Sequence, residues 1–154
     1  MGPFKRYDIR GRLGVDLDEA VAHRIARAFA SVSGASAVVL ARDSRDSSPA
    51  LAEAAAAGLV AGGVRVLDLG LAGTEEMYFA TAHLRAGGGI MVTASHNPRE
   101  WNGMKLVGPG AVPLSDDAFA RLQALAGSSP DRLPGGGRED ARRVRAAYVA
   151  RIAG

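Results

Sequence analysis

The residues with the most chemistry in this chain are consecutive: Thr93-Ala94-Ser95-His96-Asn97-Pro98. A serine hydroxyl is a poor nucleophile until a base accepts its proton. His96 brings an imidazole that can do so, or that can stabilise a phosphate once it is attached. Adjacency alone makes no site, because consecutive side chains need not face each other. Ser-His-Asn-Pro is also an ordinary turn composition, with Asn and Pro setting the geometry. Other serine-enzyme templates do not decide between these readings. No G-x-S-x-G elbow surrounds Ser95, and no S-x-x-K pair begins at it. A second polar run, Arg42-Asp43-Ser44-Arg45-Asp46, mixes guanidinium and carboxylate groups. Arg42 and Asp43 read either as a brace for a site or as a surface ion pair of little energetic weight.

Both runs follow short apolar stretches. Residues 38–42, 64–69 and 89–93 have the composition of strands buried on two sides. Helical patterns join them: Ser47-Ser48-Pro49 opens one that stops at Gly62-Gly63, and Thr74 opens another that runs through Leu84. These three strands are therefore expected to be parallel, with right-handed crossovers. A fourth, residues 103–107, follows too closely for a crossover and should run antiparallel at an edge. An earlier helix, about Leu17 to Ser31, carries Leu17, Val21, Ile25, Phe29 and Val32 at helical spacing, with Asp16 and Glu19 as a capping-box-like start. Ser115 can cap a further helix. Gly127 to Gly137 reads as a linker, and a helical pattern resumes from Arg138 to Ile152. The predicted fold is α/β: a three-layer α/β/α domain on a mixed four-stranded sheet, three strands parallel and one antiparallel at an edge. Ligands of such sheets gather at the carboxyl ends of the parallel strands, where both polar runs lie.

The chain's 154 residues make one domain of near-average polarity, 47% apolar and 23% charged. It has no cysteine, which removes disulfides, thiolate metal sites and a cysteine nucleophile. It has no apolar run of transmembrane length and no signal-peptide pattern, so a cytoplasmic protein without a membrane partner is expected. The net charge is +3, from 19 basic against 16 acidic residues. Only Lys5 and Lys105 are lysines. An arginine excess suits phosphate-bearing small molecules as well as nucleic acid. Arg138, Arg142, Arg143, Arg145 and Arg151 are interspersed with Ala and acids, and no nucleic-acid motif accompanies them, so no nucleic-acid partner is expected. A dinucleotide site is excluded because Gly87-Gly88-Gly89 precedes its strand and no G-x-G-x-x-G spacing occurs.

Five segments, in order, carry a resemblance. They are Phe4-Lys5-Arg6-Tyr7-Asp8-Ile9-Arg10-Gly11, Ala41-Arg42-Asp43-Ser44-Arg45, Gly73-Thr74-Glu75-Glu76-Met77-Tyr78-Phe79-Ala80-Thr81, the serine loop, and Trp101-Asn102-Gly103-Met104-Lys105-Leu106. Together they resemble the first domain of the α-D-phosphohexomutases and look most like the bacterial phosphomannomutase branch. The likeness covers about residues 4–126, with a weaker continuation at Arg145-Ala146-Ala147-Tyr148-Val149.

The resemblance implies a phosphoenzyme mutase. Ser95 matches the serine that carries a phosphate and gives it to a hexose 1- or 6-phosphate, through a hexose 1,6-bisphosphate that also serves as activator. Mannose 6-phosphate and mannose 1-phosphate are the implied pair. Glucose or dual specificity is the alternative, and a non-catalytic phosphosugar-binding module is a further one. Mg2+ is the implied cofactor, held here by Ser95 through its phosphate, with its remaining ligands outside this chain. Arg10 and Lys105 match cations near the transferring group. His96 and Asn97 match residues flanking the phosphoserine, Tyr7 one at the mouth of the site, and Arg42 and Asp43 a supporting loop. The implied division is domain I over residues 1–137, with 138–154 starting the helix into a second domain. The family's D-G-D-G-D-type metal loop is not present. The chain alone is therefore expected to be inactive, with hexose phosphates and the remaining domains as its partners.

Overall fold

Every side chain from Ala37 to Ala41 is buried, yet successive ones enter different cores. Val38 and Leu40 join one cluster, and Ala37, Val39 and Ala41 join the other. A strand buried on both faces must have helices on both sides. The computed structural model, which describes residues 2–5, 8–128 and 130–153, has that architecture. Its strands are β1 (Ile9–Arg12), β2 (Ala37–Arg42), β3 (Arg65–Leu71), β4 (Gly88–Val92), β5 (Trp101–Val107) and β6 (Gly137–Asp140). Its helices are α1 (Glu19–Ser33), α2 (Ser48–Ala61), α3 (Thr74–His83), α4 (Asp116–Ala126) and α5 (Val144–Ala153). Helices α1, α2 and α4 pack on the Val38 face around Ile25, Phe29, Leu51, Leu59 and Leu122. Helix α3 and the start of α5 pack on the Val39 face through Met77, Ala80 and Val144.

The sheet order is β1-β5-β4-β2-β3-β6. Strands β2, β3 and β4 are parallel, as their helical connections require, and β5 is antiparallel to β4. The four-stranded expectation is corrected to six. β5 is not an edge strand, because β1 pairs with its free side, Arg10 opposite Gly103. β6 closes the far edge, parallel to β3.

Three local expectations also change. The cap of α1 is Asp18, whose Oδ1 accepts from the Val21 N–H at 2.8 Å, while Asp16 accepts from the Arg12 N–H. The stretch expected as a linker is tied to the end of α2 at Leu133, whose N–H donates to the Ala61 carbonyl at 2.7 Å. The helical pattern from Arg138 instead begins as strand β6, and helix starts only at Val144. Arg138 explains the strand's position. Its guanidinium makes two bonds to Glu53 of α2, at 2.7 and 2.8 Å, and two to Asp68 of β3, at 2.6 and 3.0 Å.

That bidentate grip holds the Glu53 carboxyl below its ordinary pKa of 4.5. A carboxyl that is a stronger acid when folded stabilises the fold above its unfolded pKa and loses that contribution as pH falls below it. Arg138→Met should therefore cost about 1 kcal/mol or less at pH 7, because these groups are partly exposed. Urea midpoints of the two proteins should converge as the pH falls below the ordinary Glu53 value of 4.5. A gap unchanged with pH would mean that Arg138 acts through packing alone.

Candidate functional site

The serine loop begins where β4 ends. Thr93 is the last buried polar residue before the chain turns outward, and Ser95 and His96 are exposed. The Asn97 N–H donates to the Ala94 carbonyl at 3.1 Å, closing a tight turn with Ser95 at its first central position. Ser95 has φ +57°, the left-handed region that a non-glycine residue occupies at a cost of about 1–2 kcal/mol. Something must hold it there. One local restraint is the Thr93 hydroxyl, whose oxygen accepts from the Ser95 N–H at 3.0 Å.

The larger restraint comes from the loop after β2. Arg45 reaches across and donates to four carbonyls: Ser95 at 3.0 Å and Asn97 at 2.7 Å through one terminal nitrogen, Pro98 at 3.0 Å and Trp101 at 3.1 Å through the other. Its Nε faces Asp43 Oδ2 at 3.5 Å. Asp43 Oδ1 in turn accepts from the Arg45 N–H and from the Ser48 hydroxyl. Buried Asn102, at the start of β5, donates to Ser47 Oγ at 2.7 Å and Ser48 Oγ at 3.0 Å. Asp43 thus contacts Arg45, which crosses to the serine loop. Among the described residues the Arg42 guanidinium donates to the Asp43 carbonyl alone, at 3.3 Å, and not to that loop. Spacing could not find Arg45, since its acceptors lie 50 to 56 residues away.

Arg10 and Lys105 meet on the α3 face of the sheet. Each pairs with Asp8 Oδ2, Arg10 Nε at 3.5 Å and Lys105 Nζ at 3.9 Å. Both cations are partly exposed, and Arg10 Nε is buried without a hydrogen-bond partner among the described residues. Tyr78 of α3 shares this surface. Burial first, then the carboxylates of Glu75 and Asp8, raise its hydroxyl above the ordinary value of 10.0. Gly103 lets β1 approach. A Cβ there would overlap the Ile9 carbonyl oxygen and lie 3.0 Å from the Thr93 carbonyl oxygen and 3.1 Å from Arg10 Cγ. The missing side chain therefore lays Arg10 beside the residue that opens the serine loop.

Tyr7 lies outside the described residues. Asn97 is half-buried in the loop, and its carbonyl rather than its side chain is used by Arg45. Among the described residues no hydrogen bond joins the Ser95 hydroxyl to the His96 imidazole. Nor do three His, Asp or Glu side chains gather there into a metal-binding set. No helix among them is long and apolar enough to cross a membrane. The arrangement can therefore present the exposed Ser95 hydroxyl on a tight turn, with the Thr93 hydroxyl engaged by the Ser95 N–H and the Asp8-paired cations Arg10 and Lys105 on the same face of the sheet. That suits a group carried on Ser95 and handled as an anion.

The family model for phosphoglucomutase/phosphomannomutase, alpha/beta/alpha domain I, matches residues 1–130. Over 124 residues the chain is 56% identical to a phosphomannomutase of Salmonella typhimurium, covering 80% of this chain and 27% of that protein. Over 114 residues it is 57% identical to phosphohexose mutases of Xanthomonas campestris, covering 74% of this chain and 25% of that protein. A solved structure of a phosphoglucomutase/phosphomannomutase family protein from Burkholderia thailandensis superposes with a TM-score of 0.86 at 40% identity. It covers 97% of this chain and 35% of its own. The chain thus spans about a quarter of the length of these curated relatives.

Proposed function

The chain belongs to the phosphoglucomutase/phosphomannomutase family, as its α/β/α domain I, and from that premise we propose that Ser95 is the phosphocarrier of a phosphohexomutase. The observation that carries the reading is the exposed Ser95 hydroxyl on a turn held at positive φ by Arg45. A plain surface turn has no call for a four-carbonyl clamp around a strained serine. A phosphocarrier does, because phosphoryl transfer depends on positioning and charge neutralisation.

In the proposed step a hydroxyl oxygen of a hexose 1- or 6-phosphate attacks the phosphorus on Ser95. The new O–P bond forms as the Ser95 Oγ–P bond breaks. The sugar hydroxyl gives up its proton, and Ser95 Oγ takes one up. The product is a hexose 1,6-bisphosphate, and the reverse step with its other phosphate completes the interconversion. Arg10 and Lys105 offset the negative charge of the transferring group, with Asp8 holding them together. His96, exposed beside Ser95, is the nearest imidazole for a phosphate oxygen or a proton. Asn97 and Tyr7 flank the site in the same reading, and Asp43 supports it through Arg45.

Mg2+ would neutralise charge on the phosphate. Among the described residues no three carboxylate or imidazole side chains gather to hold it, and Asp43 is engaged by Ser48 and Arg45, so a phosphate on Ser95 would be the ligand this chain supplies. No step here is assigned to the ion. Residues 1–137 form the phosphoserine domain in this reading, and 138–154 lead into a second domain. The fit of β6 and α5 against β3 and α3 means that this passage is anchored to the first domain. The reading places the protein in the cytoplasm on the family's account alone.

The names of the Salmonella relatives favour mannose phosphates, and the name phosphohexose mutases favours the broader class. The test is turnover. The chain alone should not interconvert mannose 6-phosphate and mannose 1-phosphate. A chimera in which it replaces the matching 124 residues of the Salmonella protein should do so with Mg2+ and a hexose 1,6-bisphosphate. A folded, inactive chimera would sink the proposal in favour of a phosphate-binding module.

A further inference from the structure

The four acceptors of Arg45 have a consequence for the other side of the loop. In a planar trans peptide the C=O and the following N–H point in opposite directions. By taking the Ser95 carbonyl at 3.0 Å, the guanidinium turns the His96 N–H away from itself. Within the turn itself the neighbouring N–H groups are engaged: Ser95's goes to Thr93 Oγ1 and Asn97's to the Ala94 carbonyl. The His96 N–H has no protein acceptor among the described residues. It is one residue from the Ser95 hydroxyl, within reach of a phosphate esterified there.

We propose that Arg45 is the positioning residue of the serine loop, fixing its peptide planes so that the His96 N–H is held as a donor to a phosphate on Ser95. The inference rests on the phosphocarrier reading. Arginine suits the role because its two terminal nitrogens carry four N–H groups in one plane, and four carbonyls occupy them. Donation to the Ser95 carbonyl also polarises the peptide, which strengthens its N–H as a donor. Asp43 keeps the guanidinium in place through Nε, and Ser48 and Asn102 tie that carboxylate loop to the start of β5. Lysine would keep the charge but could not hold the same carbonyls in one plane.

The experiment installs phosphoserine at position 95 of this chain during translation, so it does not depend on any hexose phosphate reacting. Amide NMR is recorded with and without the phosphate, and the phosphate is titrated by 31P NMR. Phosphorylation should move the His96 amide proton clearly downfield. It should also depress the second phosphate pKa below its ordinary value near 6, because a donor to the dianion favours it. In Arg45→Lys, which keeps the charge, both effects should shrink. In Arg45→Met they should vanish. A native chain whose His96 amide does not move on phosphorylation overturns the proposal whatever the variants do. So does an Arg45→Lys protein indistinguishable from native, which would reduce Arg45 to a charge. If instead the installed phosphate behaves as expected and the chimera still shows no turnover, the phosphocarrier reading has failed and the loop's geometry has not.

Discussion

Ser95→Ala in the active chimera should lower turnover on the order of 10^4-fold or more, the scale seen when a covalent carrier is deleted from an enzyme. The size follows from the role. A side chain that only stabilises charge contributes about 10^2–10^3-fold, because the reaction still proceeds through the remaining groups. Arg10→Met or Lys105→Met should fall in that lower range. Removing Ser95 Oγ removes the atom to which phosphorus bonds, and no second hydroxyl stands in the turn. The fold should not suffer. Ala at position 95 meets the same positive φ as Ser, and the residue is exposed, so the unfolding free energy should stay within about 0.5 kcal/mol of native. Ser95→Gly relieves the positive φ and should be equally inactive. A Ser95→Ala chimera that retains a tenth of native turnover would show that the phosphate is carried elsewhere.

Gly103→Ala is expected to be the most damaging single methyl group near the site. The added Cβ would run into the Ile9 carbonyl oxygen of β1 and press on the Thr93 carbonyl, both backbone atoms that cannot rotate away. Overpacking of this kind costs about 3 kcal/mol or more when the neighbours are fixed. In a domain of this size that is about 6–12 °C of thermal midpoint. β1 would be forced off β5, taking Arg10 with it, so activity in the chimera should fall as well. Gly137→Ala is the matched control, because a Cβ there meets nothing within 4 Å and its φ is not positive. Thermal melts of the two variants decide the point. Equal midpoints would mean that β1 can shift along β5 without loss.

The parts of the fold legible in the sequence were those whose burial leaves a pattern. β2 and β4 are continuous apolar runs, since both faces are covered. α1 shows its buried stripe at Ile25 and Phe29. The edge strands were not legible for the opposite reason. β1 is IRGR and β6 is GRED, and neither contains a run of β-branched residues. Their places are set by tertiary bonds, Gly103 opposite Arg10 in one case and Arg138 to Asp68 in the other. The α1 cap is ambiguous in the sequence because Asp16 and Asp18 are both acceptable caps, and only the fold decides that Asp16 serves Arg12.

The site divides the same way. Ser95, His96 and Asn97 stand out in the sequence as candidates because they are contiguous. Arg10 and Lys105 could be named only through the family likeness, and the structure brings both onto Asp8. Arg42 and Arg45, two arginines three apart after a strand, cannot be ranked by residue type. The difference lies in reach: Arg45 crosses to the serine loop and Arg42 stops at the Asp43 carbonyl.

The central claim is that Ser95 takes up and gives back a phosphate, and peptide mass spectrometry tests it most directly. The chimera would be exposed to a hexose 1,6-bisphosphate with Mg2+, digested, and the Ser95 peptide weighed, then weighed again after addition of excess mannose 1-phosphate. The account predicts one phosphate on Ser95 in the first sample and its departure, recovered as hexose bisphosphate, in the second. An unmodified Ser95 peptide from a folded, metal-supplied protein would contradict it.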